Sequence, residues 1–483
     1  MLRSEAAIPV RMRRVAIVAP YGSLREVLIA LADAGSVEID LIDDPAHALP
    51  GPASARLQHL GTDPANPVTG HRARTGPGDT PPLLSAAPPD LDALEAEGRT
   101  DLLAGEAQLE ERLASAVRRG TSAALAGWCP AAQVAPLTER LAGVGGALVP
   151  LRSPPGTDPP TLLRGAGTVR RSFTPLVTTY GTVPYADLDP TVPAGIVYVV
   201  MFGVMFGDAG HGALLLLAAL ALRLGRPRGL APLRRIWPFV AGAGLASTLA
   251  GVAYGEFFGP TGVLPVLWLN PLDEPMRLLA AAVGLGAALL ALSYGAGIVN
   301  RWREGGPANA VYAPSGIAGA AVFLGLGVLA GGAYTGGTAF AVAGGALAGT
   351  GLALAAWGLF AATAGGAAGA MQTGVQLFDV VVRIGSNVIS FARLAAFGLT
   401  HAALGMIVWD GTTALAGRGP AGLVAAVAVF TAGNALAFAL EALVAGVQAL
   451  RLEFYELFSR VFETQGRPFR PWHVPVQRTE VAS

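Results

Sequence analysis

The sequence predicts a mainly α-helical membrane protein, with an eight-helix transmembrane bundle, two long tilted C-terminal helices and a small cytoplasmic α/β domain before them. Of the 483 residues, 52% are apolar and only 14% are charged. The apolar residues collect in long runs after about residue 190, whereas the chain before that point has a soluble pattern. Apolar runs of about 20 residues are long enough to cross a bilayer. We therefore expect one aqueous domain and one membrane-embedded domain.

The first domain, residues 1–190, is predicted to be a cytoplasmic α/β arm. Its expected elements are a strand at 15–19, a helix at 23–34, a strand at 37–42, a charged helical stretch over 91–127, a helix at 134–142 and a strand at 146–151. Residues 44–90 are rich in Pro and Gly without periodicity, which is typical of a linker or loose excursion. The N-terminus lacks the apolar region of a signal peptide, so we expect this domain to stay in the cytoplasm.

The second domain, residues 191–462, is predicted to hold eight spans. They lie near 192–207, 210–224, 236–257, 276–299, 315–332, 338–363, 375–410 and 421–459. The first two are short and meet at 206–212, which predicts a tight hairpin or a broken helix. Arginines occur in the loops after spans two and four but not after spans three and five. The positive-inside rule then places both termini, including the tail at 463–483, in the cytoplasm of a multi-pass protein of the cell membrane.

The composition also argues against several kinds of site. The chain has no lysine, so it cannot form a standard phosphate-binding P-loop, and any ATP must be handled by another chain. A single cysteine, Cys129, excludes an internal disulfide and a cysteine-based metal site. We expect no cofactor, no metal site and no nucleic-acid partner.

The most informative residue is Arg393, near the middle of span seven. Placing a guanidinium in hydrocarbon costs at least ~2.5–3.5 kcal/mol, and such charges usually face a bundle interior or an ion path. A second arginine, Arg451, lies in span eight, ten residues after Glu441. Polar residues recur along one side of each helix. They are Asp379, Arg383, Ser386, Asn387, Ser390, Arg393, Thr400 and His401 in span seven, and Asn434, Glu441, Gln448 and Tyr455 in span eight.

These polar groups have a simpler interpretation, in which they pair with one another and only hold the bundle together. Glu441 with an arginine, or Asp379 with Arg383 at i+4, could form such pairs. Two central arginines and two polar stripes are more costly groups than packing needs, which favours an ion path. His401 alone fits either a satisfied core residue or a group that handles protons.

Several ordered segments resemble the membrane-embedded stator subunit of V/A-type rotary ATPases, which is called subunit a in eukaryotes and subunit I in prokaryotes. The segments are 202–212 (FGVMFGDAGHG), 254–258 (YGEFF), 390–401 (SFARLAAFGLTH) and 441–451, with looser likeness at 127–132 and 180–190. The resemblance implies that Arg393 faces the carboxylate of a rotating proteolipid ring and that Arg451 is the family's second arginine. It also places Glu441, Gln448 and His401 at positions of proton translocation.

The resemblance implies further site residues and partners. Residues that could line a half-channel are Glu256, Asp379, Arg383, Asn387, Ser390, Asn434 and Tyr455. Asp208 and His211 match motif positions that fit a scaffold role as well as a half-channel role. The implied partners are the proteolipid c-ring, peripheral stalk subunits, an adaptor between the ring and the central stalk, and membrane lipid.

The implied function is a stator that forms two ion half-channels and couples ring rotation to proton translocation, without being an enzyme on its own. The first 190 residues lack the long heptad pattern of the family's extended coil, which predicts a shortened arm and leaves the number of bound peripheral stalks open. Two alternatives remain. One is a stand-alone secondary transporter in which Arg393 binds an anionic substrate, although no paired repeat is visible. The other is a non-conducting assembly homologue.

Overall fold

The chain folds into two compact units. The computed structural model describes residues 8–40, 51–60, 87–154, 157–164, 167–225, 228–462 and 465–473. The sheet unit comprises Val10–Leu162 and Arg467–Ser483, and the helical unit comprises Met1–Pro9 and Leu163–Gly466. The chain passes from the sheet unit to the helical unit between Leu162 and Leu163. The predicted boundary at 190 separates aqueous from membrane-embedded chain and stays a prediction.

The sheet unit is built on a five-stranded antiparallel sheet. Its elements are β1 (Met12–Pro20), α1 (Leu24–Ala34), β2 (Glu38–Asp40), α2 (Pro52–His59), α3 (Leu91–Ala96), α4 (Thr100–Ala114), β3 (Val117–Arg119), β4 (Ser122–Pro130), α5 (Val134–Ala142) and β5 (Ala147–Pro150). The strand order is β2-β4-β1-β5, and β3 pairs with β4. β1 and β4 pair along their whole length, from Met12 opposite Pro130 to Pro20 opposite Ser122. The two predicted α/β pieces therefore share one sheet.

The predicted helical stretch over 91–127 is wrong in its last part, because the chain forms strands from Val117 onward. The β4 sequence is rich in alanine, a helix former, but β4 lies between β1 and β2 and both neighbours bond its backbone. Tertiary pairing here overrides local preference. Gly127 is needed in this strand, since a Cβ there would lie 2.5 Å from the Glu38 carbonyl oxygen.

Part of the predicted linker over 44–90 is ordered. Helix α2 buries Ala53 and Leu57 in a small cluster with Leu103, Ala104 and Ala107 of α4. The remainder of that prediction, at 44–50 and 61–86, lies outside the described residues. Helix α4 thus packs against α2, which the Pro- and Gly-rich composition of residues 44–90 did not predict.

From Arg467 onward, the described part of the C-terminal tail belongs to the sheet unit. The Trp472 backbone N–H donates to Val37 O at 2.8 Å, and its indole N–H donates to Gln108 Oε1 at 3.0 Å. Because residues 467–473 and 10–162 form one unit, both lie on the same side of any membrane that the chain between them crosses. The number of crossings must therefore be even. The predicted tail residues 463–464 and 474–483 lie outside the described residues, and the orientation of the termini stays a prediction.

The helical unit follows the order of the predicted spans. Its helices are α6 (Thr168–Tyr180), α7 (Thr191–Met205), α8 (Ala209–Arg223), α9 (Trp237–Tyr254), α10 (Pro275–Tyr312), α11 (Ile317–Thr335), α12 (Thr338–Ala361), α13 (Gly366–Ser390), α14 (Ala392–Ala416), α15 (Gly419–Leu452) and α16 (Ser459–Val461). A π-helical turn at Glu453–Phe458 connects α15 to α16 without a break.

Six helical segments in the described part of the chain are long and apolar enough to cross a membrane. They are Gly229–Tyr254, Pro275–Tyr312, Ile317–Thr335, Thr338–Ala361, Gly366–Ala416 and Gly419–Val461. The first two predicted spans correspond to α7 and α8, which have only 15 residues each. A helix of that length is ~22 Å long against a hydrocarbon core of ~30 Å. The predicted count of eight spans is therefore not confirmed.

The last two membrane segments are long, as predicted. α13 and α14 continue through Phe391 over 51 residues, and the final segment has 43 residues. Phe391 is buried against α10, where Gly286 makes room: a Cβ there would lie 2.1 Å from the Phe391 ring. The tilt of these helices stays a prediction.

Helix α10 differs from its predicted span, which ended at 299. It continues to Tyr312 with a break at Gly306, whose φ is +75°. Arg301 and Arg303, predicted to lie in a loop, are therefore helical, and Arg301 is buried against Glu304 at 2.6 Å. An arginine paired within its own helix can be buried, which the sequence pattern did not reveal.

Candidate functional site

Helices α14 and α15 pack against each other and bring the two predicted polar stripes together. Their side chains form two groups. The arginine cluster is Arg393, Gln448 and Glu456, and the histidine cluster is Asp208, His211, Glu256, His401, Asn434 and Glu441. Arg393 contacts Gln448 and His401 contacts Glu441, so the two helices run antiparallel. The polar stripes predicted from the sequence therefore face each other, although neither cluster was predicted in full.

The arginine cluster holds one guanidinium from three sides. Arg393 Nη2 donates to Glu456 Oε1 at 2.6 Å, Nη1 to Gln448 Oε1 at 3.4 Å and Nε to Ser390 O at 3.1 Å. A guanidinium has five N–H donors, so two of them remain without a partner among the described residues. The Arg393 side chain is 25% exposed, whereas that of Glu456 is only 7% exposed. Arg393 is therefore fixed in direction but accessible to a group outside the chain.

The sequence pattern did not predict Glu456, because the seven-residue spacing of polar residues continues from Gln448 to Tyr455. The π-helical turn at Glu453–Phe458 widens the helix at this point. As a result Glu456, eight residues after Gln448, occupies the place beside Arg393, and Tyr455 is turned outward with 70% exposure. The visible signal was a pair of glutamates, Glu453 and Glu456, at the end of an apolar span.

Other residues of the predicted stripes lie at the surface of the chain. Arg451 is exposed and makes no hydrogen bond or ion pair with the residues that the structure describes. Arg383 Nε pairs with Asp379 Oδ2 at 2.7 Å, the i+4 pair that the sequence allowed, and both side chains are exposed. Asn387 and Ser390 are half-buried between that pair and Arg393.

The histidine cluster lies farther along the same two helices, against Asp208, His211 and Glu256 from other segments, and is buried except for half-buried Glu441. His401 Nδ1 is hydrogen-bonded to Glu441 Oε2, and the ring of His211 lies 5.6 Å from the ring of His401. Phe206 and Phe438 pack against these rings. His401 is eight residues after Arg393, and Glu441 is seven before Gln448. At ~1.5 Å per residue, the two clusters are ~10–12 Å apart along the helices.

Asp208 joins three pieces of backbone. Its carboxylate accepts the N–H groups of His211 at 2.8 Å, Phe258 at 3.0 Å and Gly259 at 2.8 Å. Phe258 and Gly259 have φ of +52° and +88°, and this left-handed pair directs both N–H groups at the same anion. Asp208 thereby caps α8 and ties it to the segment after α9, which favours the scaffold role left open by the sequence.

Two further predicted residues complete the histidine cluster. Asn434 is buried beside His211 and donates to Phe430 O at 2.9 Å. Glu256 is buried within electrostatic reach of His401, and its backbone oxygen accepts Ala209 N at 3.0 Å. The cluster therefore contains three carboxyl groups and two imidazoles, and none of the described arginines pairs with it. Its groups can hold or exchange protons, or hold a cation.

A separate buried carboxyl group, Asp187, lies just before α7 and was not predicted. Burial and the neighbouring carboxylate of Glu304 raise the pKa of Asp187 to about 8, although Arg301 and Arg303 oppose the shift. Nearby, Asn300 accepts Leu188 N at 3.0 Å and donates to Val461 O at 3.1 Å. Asn300 of α10 therefore holds the segment just before α7 in place.

The fold and the site together define a multi-pass helical membrane protein with charged side chains inside apolar helices. The family model described as "V-type ATPase 116kDa subunit family" matches residues 113–232. The chain is 26% identical over 378 residues to "A-type ATP synthase subunit I" of Thermococcus kodakarensis, covering 74% of this chain and 54% of the relative. The protein of the same name from Halobacterium salinarum is 29% identical over 383 residues, covering 65% and 51%.

A human protein is also similar. "V-type proton ATPase 116 kDa subunit a 3" is 35% identical over 155 residues, covering 29% of this chain and 19% of that protein. These matches support the family that the motifs predicted, the V-type ATPase 116 kDa subunit family. It spans about half the length of the archaeal relatives named above.

Proposed function

We propose that this chain is the membrane stator subunit of a V/A-type rotary ATPase or ATP synthase. In this role it forms two proton half-channels against a rotating proteolipid ring and couples the rotation to proton translocation. The observation that carries the proposal is Arg393, which is held by Gln448 and Glu456 yet keeps free donors and partial exposure. The names of the relatives support the same assignment.

The surface around Arg393 supports a partner that covers it. Ile389, Val447 and Tyr455 are exposed there, and Arg451 is exposed as well. Large apolar side chains tolerate lipid, but a guanidinium in hydrocarbon costs at least ~2.5–3.5 kcal/mol. An apolar helix that carries a carboxylate satisfies both kinds of group. A ring of such helices is therefore the partner we propose for this face.

The chemistry follows from the charge of the arginines. A ring carboxylate must be neutral to cross lipid, and a fixed positive charge favours its ionised form, so the proton leaves near Arg393 and Arg451. A guanidinium has no acceptor for a proton and keeps its charge when buried. The arginines thus stop protons from passing directly between the two half-channels, and rotation becomes the only route.

We assign the two half-channels to the two sides of the arginine cluster. The histidine cluster lines one, where the hydrogen-bonded His401 and Glu441 can exchange a proton between Nδ1 and Oε2. The polar face with Asp379, Asn387 and Ser390 lines the other. The peripheral stalk subunits and the adaptor to the central stalk are proposed as partners of the assembled subunit.

The test is ATP-driven acidification of inverted membrane vesicles that contain the assembled complex. Arg393→Gln should abolish pumping while leaving the complex assembled. The matched control is Arg277→Gln at the start of α10. Arg277 also has a carboxylate partner, Glu274 at 2.6 Å, but it is exposed and does not belong to the arginine cluster. Undiminished pumping in Arg393→Gln would contradict the proposal. Equal loss in both variants would point to general damage and would also count against it.

A further inference from the structure

The histidine cluster contains a buried side chain that lacks a protein partner. His211 is only 2% exposed, yet neither of its ring nitrogens makes a hydrogen bond with any of the described residues. Its ring lies among Phe206, Phe258 and Phe438 and beside His401. Asp208 Oδ1 lies 3.8 Å from Nδ1 and Asn434 is a further neighbour, but buried polar atoms nearly always form a hydrogen bond, so this imidazole has room for a ligand.

Two neighbours place ligand atoms near His211. One atom each from Asp208, His211 and His401 lies within 4.8 Å of the others. Asp208 Oδ1 lies 3.8 Å from His211 Nδ1 and accepts two backbone N–H groups, whereas Oδ2 accepts only the N–H of Gly259 at 2.8 Å, so a lone pair remains on Oδ2. The carboxylate of Asp208, which backbone N–H groups hold in place, and the imidazoles of His211 and His401 therefore lie close together.

The hydrogen bond between His401 and Glu441 orients the second imidazole so that its Nε2 is available as a ligand. His401 uses Nδ1 for Glu441 Oε2, so a proton held between these two atoms leaves Nε2 with a free lone pair. Histidines that bind metals commonly donate their other ring nitrogen to a carboxylate, which fixes the ring and increases its basicity. Glu441 would serve as this orienting partner, and its Oε1 is buried without a hydrogen bond among the described residues.

We propose that Asp208, His211 and His401 form a binding site for a divalent transition cation of the Zn²⁺ type. Two imidazoles and one carboxylate suit Zn²⁺, whereas Mg²⁺ and Ca²⁺ prefer sites made of oxygen ligands. Bond lengths of 2.0–2.2 Å place tetrahedral ligand atoms roughly 3.3–3.5 Å apart, so small side-chain rotations close the cluster around the ion. The fourth position would be taken by water. This proposal revises our expectation from the sequence that the chain has no metal site.

The local charge favours a cation at this position. Asp208, Glu256 and Glu441 place three carboxyl groups in the cluster, and no arginine among the described residues neutralises them. The surrounding phenylalanine rings make the environment less polar, which strengthens the attraction between a dication and these groups. Protons alone could also neutralise the carboxylates, and the experiment must separate these two possibilities.

The test is metal binding by the purified assembled complex after chelator treatment, with Zn²⁺ for stoichiometry and Co²⁺ as a spectroscopic probe of an imidazole-containing site. The key variant is His211→Gln, because Asp208 bonds the backbone N–H of residue 211, so this substitution keeps the cap of α8. His401→Gln is a second, independent ligand variant. The matched control is His59→Gln, since His59 is an exposed histidine of the sheet unit.

Wild type and His59→Gln should each bind one more ion per copy of this chain than His211→Gln or His401→Gln. The affinity for that ion should fall by at least ~10–100-fold in either ligand variant. The Co²⁺ absorption of the extra ion should disappear with it. Equal binding by wild type and both ligand variants would overturn the site, as would wild type that binds only protons and no extra ion.

A second readout rests on the proposed function and separates the two proposals. If the histidine cluster lies on the proton path, Zn²⁺ should inhibit pumping by wild type but not the residual pumping of His211→Gln. Site-specific metal binding without inhibition would keep the metal site and contradict its position on the path. If Arg393→Gln pumped normally, the proposed function would be contradicted, but the metal-binding result would still stand.

Discussion

Two buried carboxylates in the helical unit are held in opposite ways. Asp208, in the turn between α7 and α8, accepts three backbone N–H groups. Glu456, in the π-helical turn after α15, accepts the side chain of Arg393. Backbone donors are fixed by the fold, so Asp208 cannot change partners without disrupting the turn. A side-chain donor can turn away, so Arg393 can exchange Glu456 for an anion on another chain.

The largest expected effect is that of Asp208→Ala. It leaves the buried N–H groups of Phe258 and Gly259 without their acceptor and removes the cap of α8, which should cost ~3–5 kcal/mol of unfolding free energy. Thermal unfolding of the solubilised protein measures this. Asp273→Ala is the control, because Asp273 is exposed and accepts one bond from the side chain of Asn270. Equal unfolding temperatures for the two variants would show that the backbone bonds of Asp208 are not stabilising.

A smaller effect is expected for Glu456→Gln. The substitution keeps the shape but removes the charge opposite Arg393, and it should cost ~1–2 kcal/mol because Arg393 is partly exposed. Glu453→Gln is the matched control one helical turn earlier. Glu453 is buried and both its carboxyl oxygens lack a hydrogen bond among the described residues. An amide of the same shape there breaks no ion pair, so the loss of unfolding free energy should be smaller than at 456. A larger cost at 453 than at 456 would reverse our comparison.

Asp187 is a third buried carboxyl group, and it lies outside the membrane segments. The pKa of Asp187 is raised to about 8. The folded protein keeps a proton there that the unfolded chain releases near pH 4. The stabilisation is therefore complete below pH ~4 and is lost as the pH rises toward 8, by at most about 1.4 kcal/mol per pH unit.

Asp187→Asn removes this titration, so its unfolding temperature should depend less on pH between 5 and 8 than that of wild type. Thermal unfolding at several pH values checks this, with exposed Asp158→Asn as the control. Parallel pH profiles for wild type and Asp187→Asn would contradict the assigned proton.

The smallest effect is expected for Arg383→Gln. Its pair with Asp379 is exposed on α13, and such i+4 pairs contribute only ~0.3–0.5 kcal/mol. Chemical unfolding at low and high salt measures the change. A loss well above that range would mean that this pair is covered in the assembled protein, as Arg393 is proposed to be.

The fold was predictable where local pattern and final packing agree. Helix α5 has the predicted bounds, and α1 begins one residue later than predicted. Strand β4 was not predictable, because its alanine-rich sequence becomes a strand only through its neighbours on both sides. The length of α10 was not predictable either, since the pairing of Arg301 with Glu304 allows charged residues to remain in a buried helix.

The site was predictable where a helical repeat continues without interruption. The stripes led to Arg393, His401, Glu441 and Gln448, which the structure brings together in pairs. The repeat fails at the π-helical turn, where Glu456 takes the place expected for Tyr455. The approach of His211 to His401 joins residues 190 positions apart, and no local spacing carries that information.

The position of Trp472 has a consequence for the order in which this protein can be completed. Its side chain fills the core of the sheet unit beside Arg112, whose guanidinium lies 4.4 Å from the ring centre. The rest of that core is synthesised first, but the residue that closes it is made after every helix of the helical unit. A nascent chain therefore cannot close the core of the sheet unit until the helices of the helical unit have been synthesised.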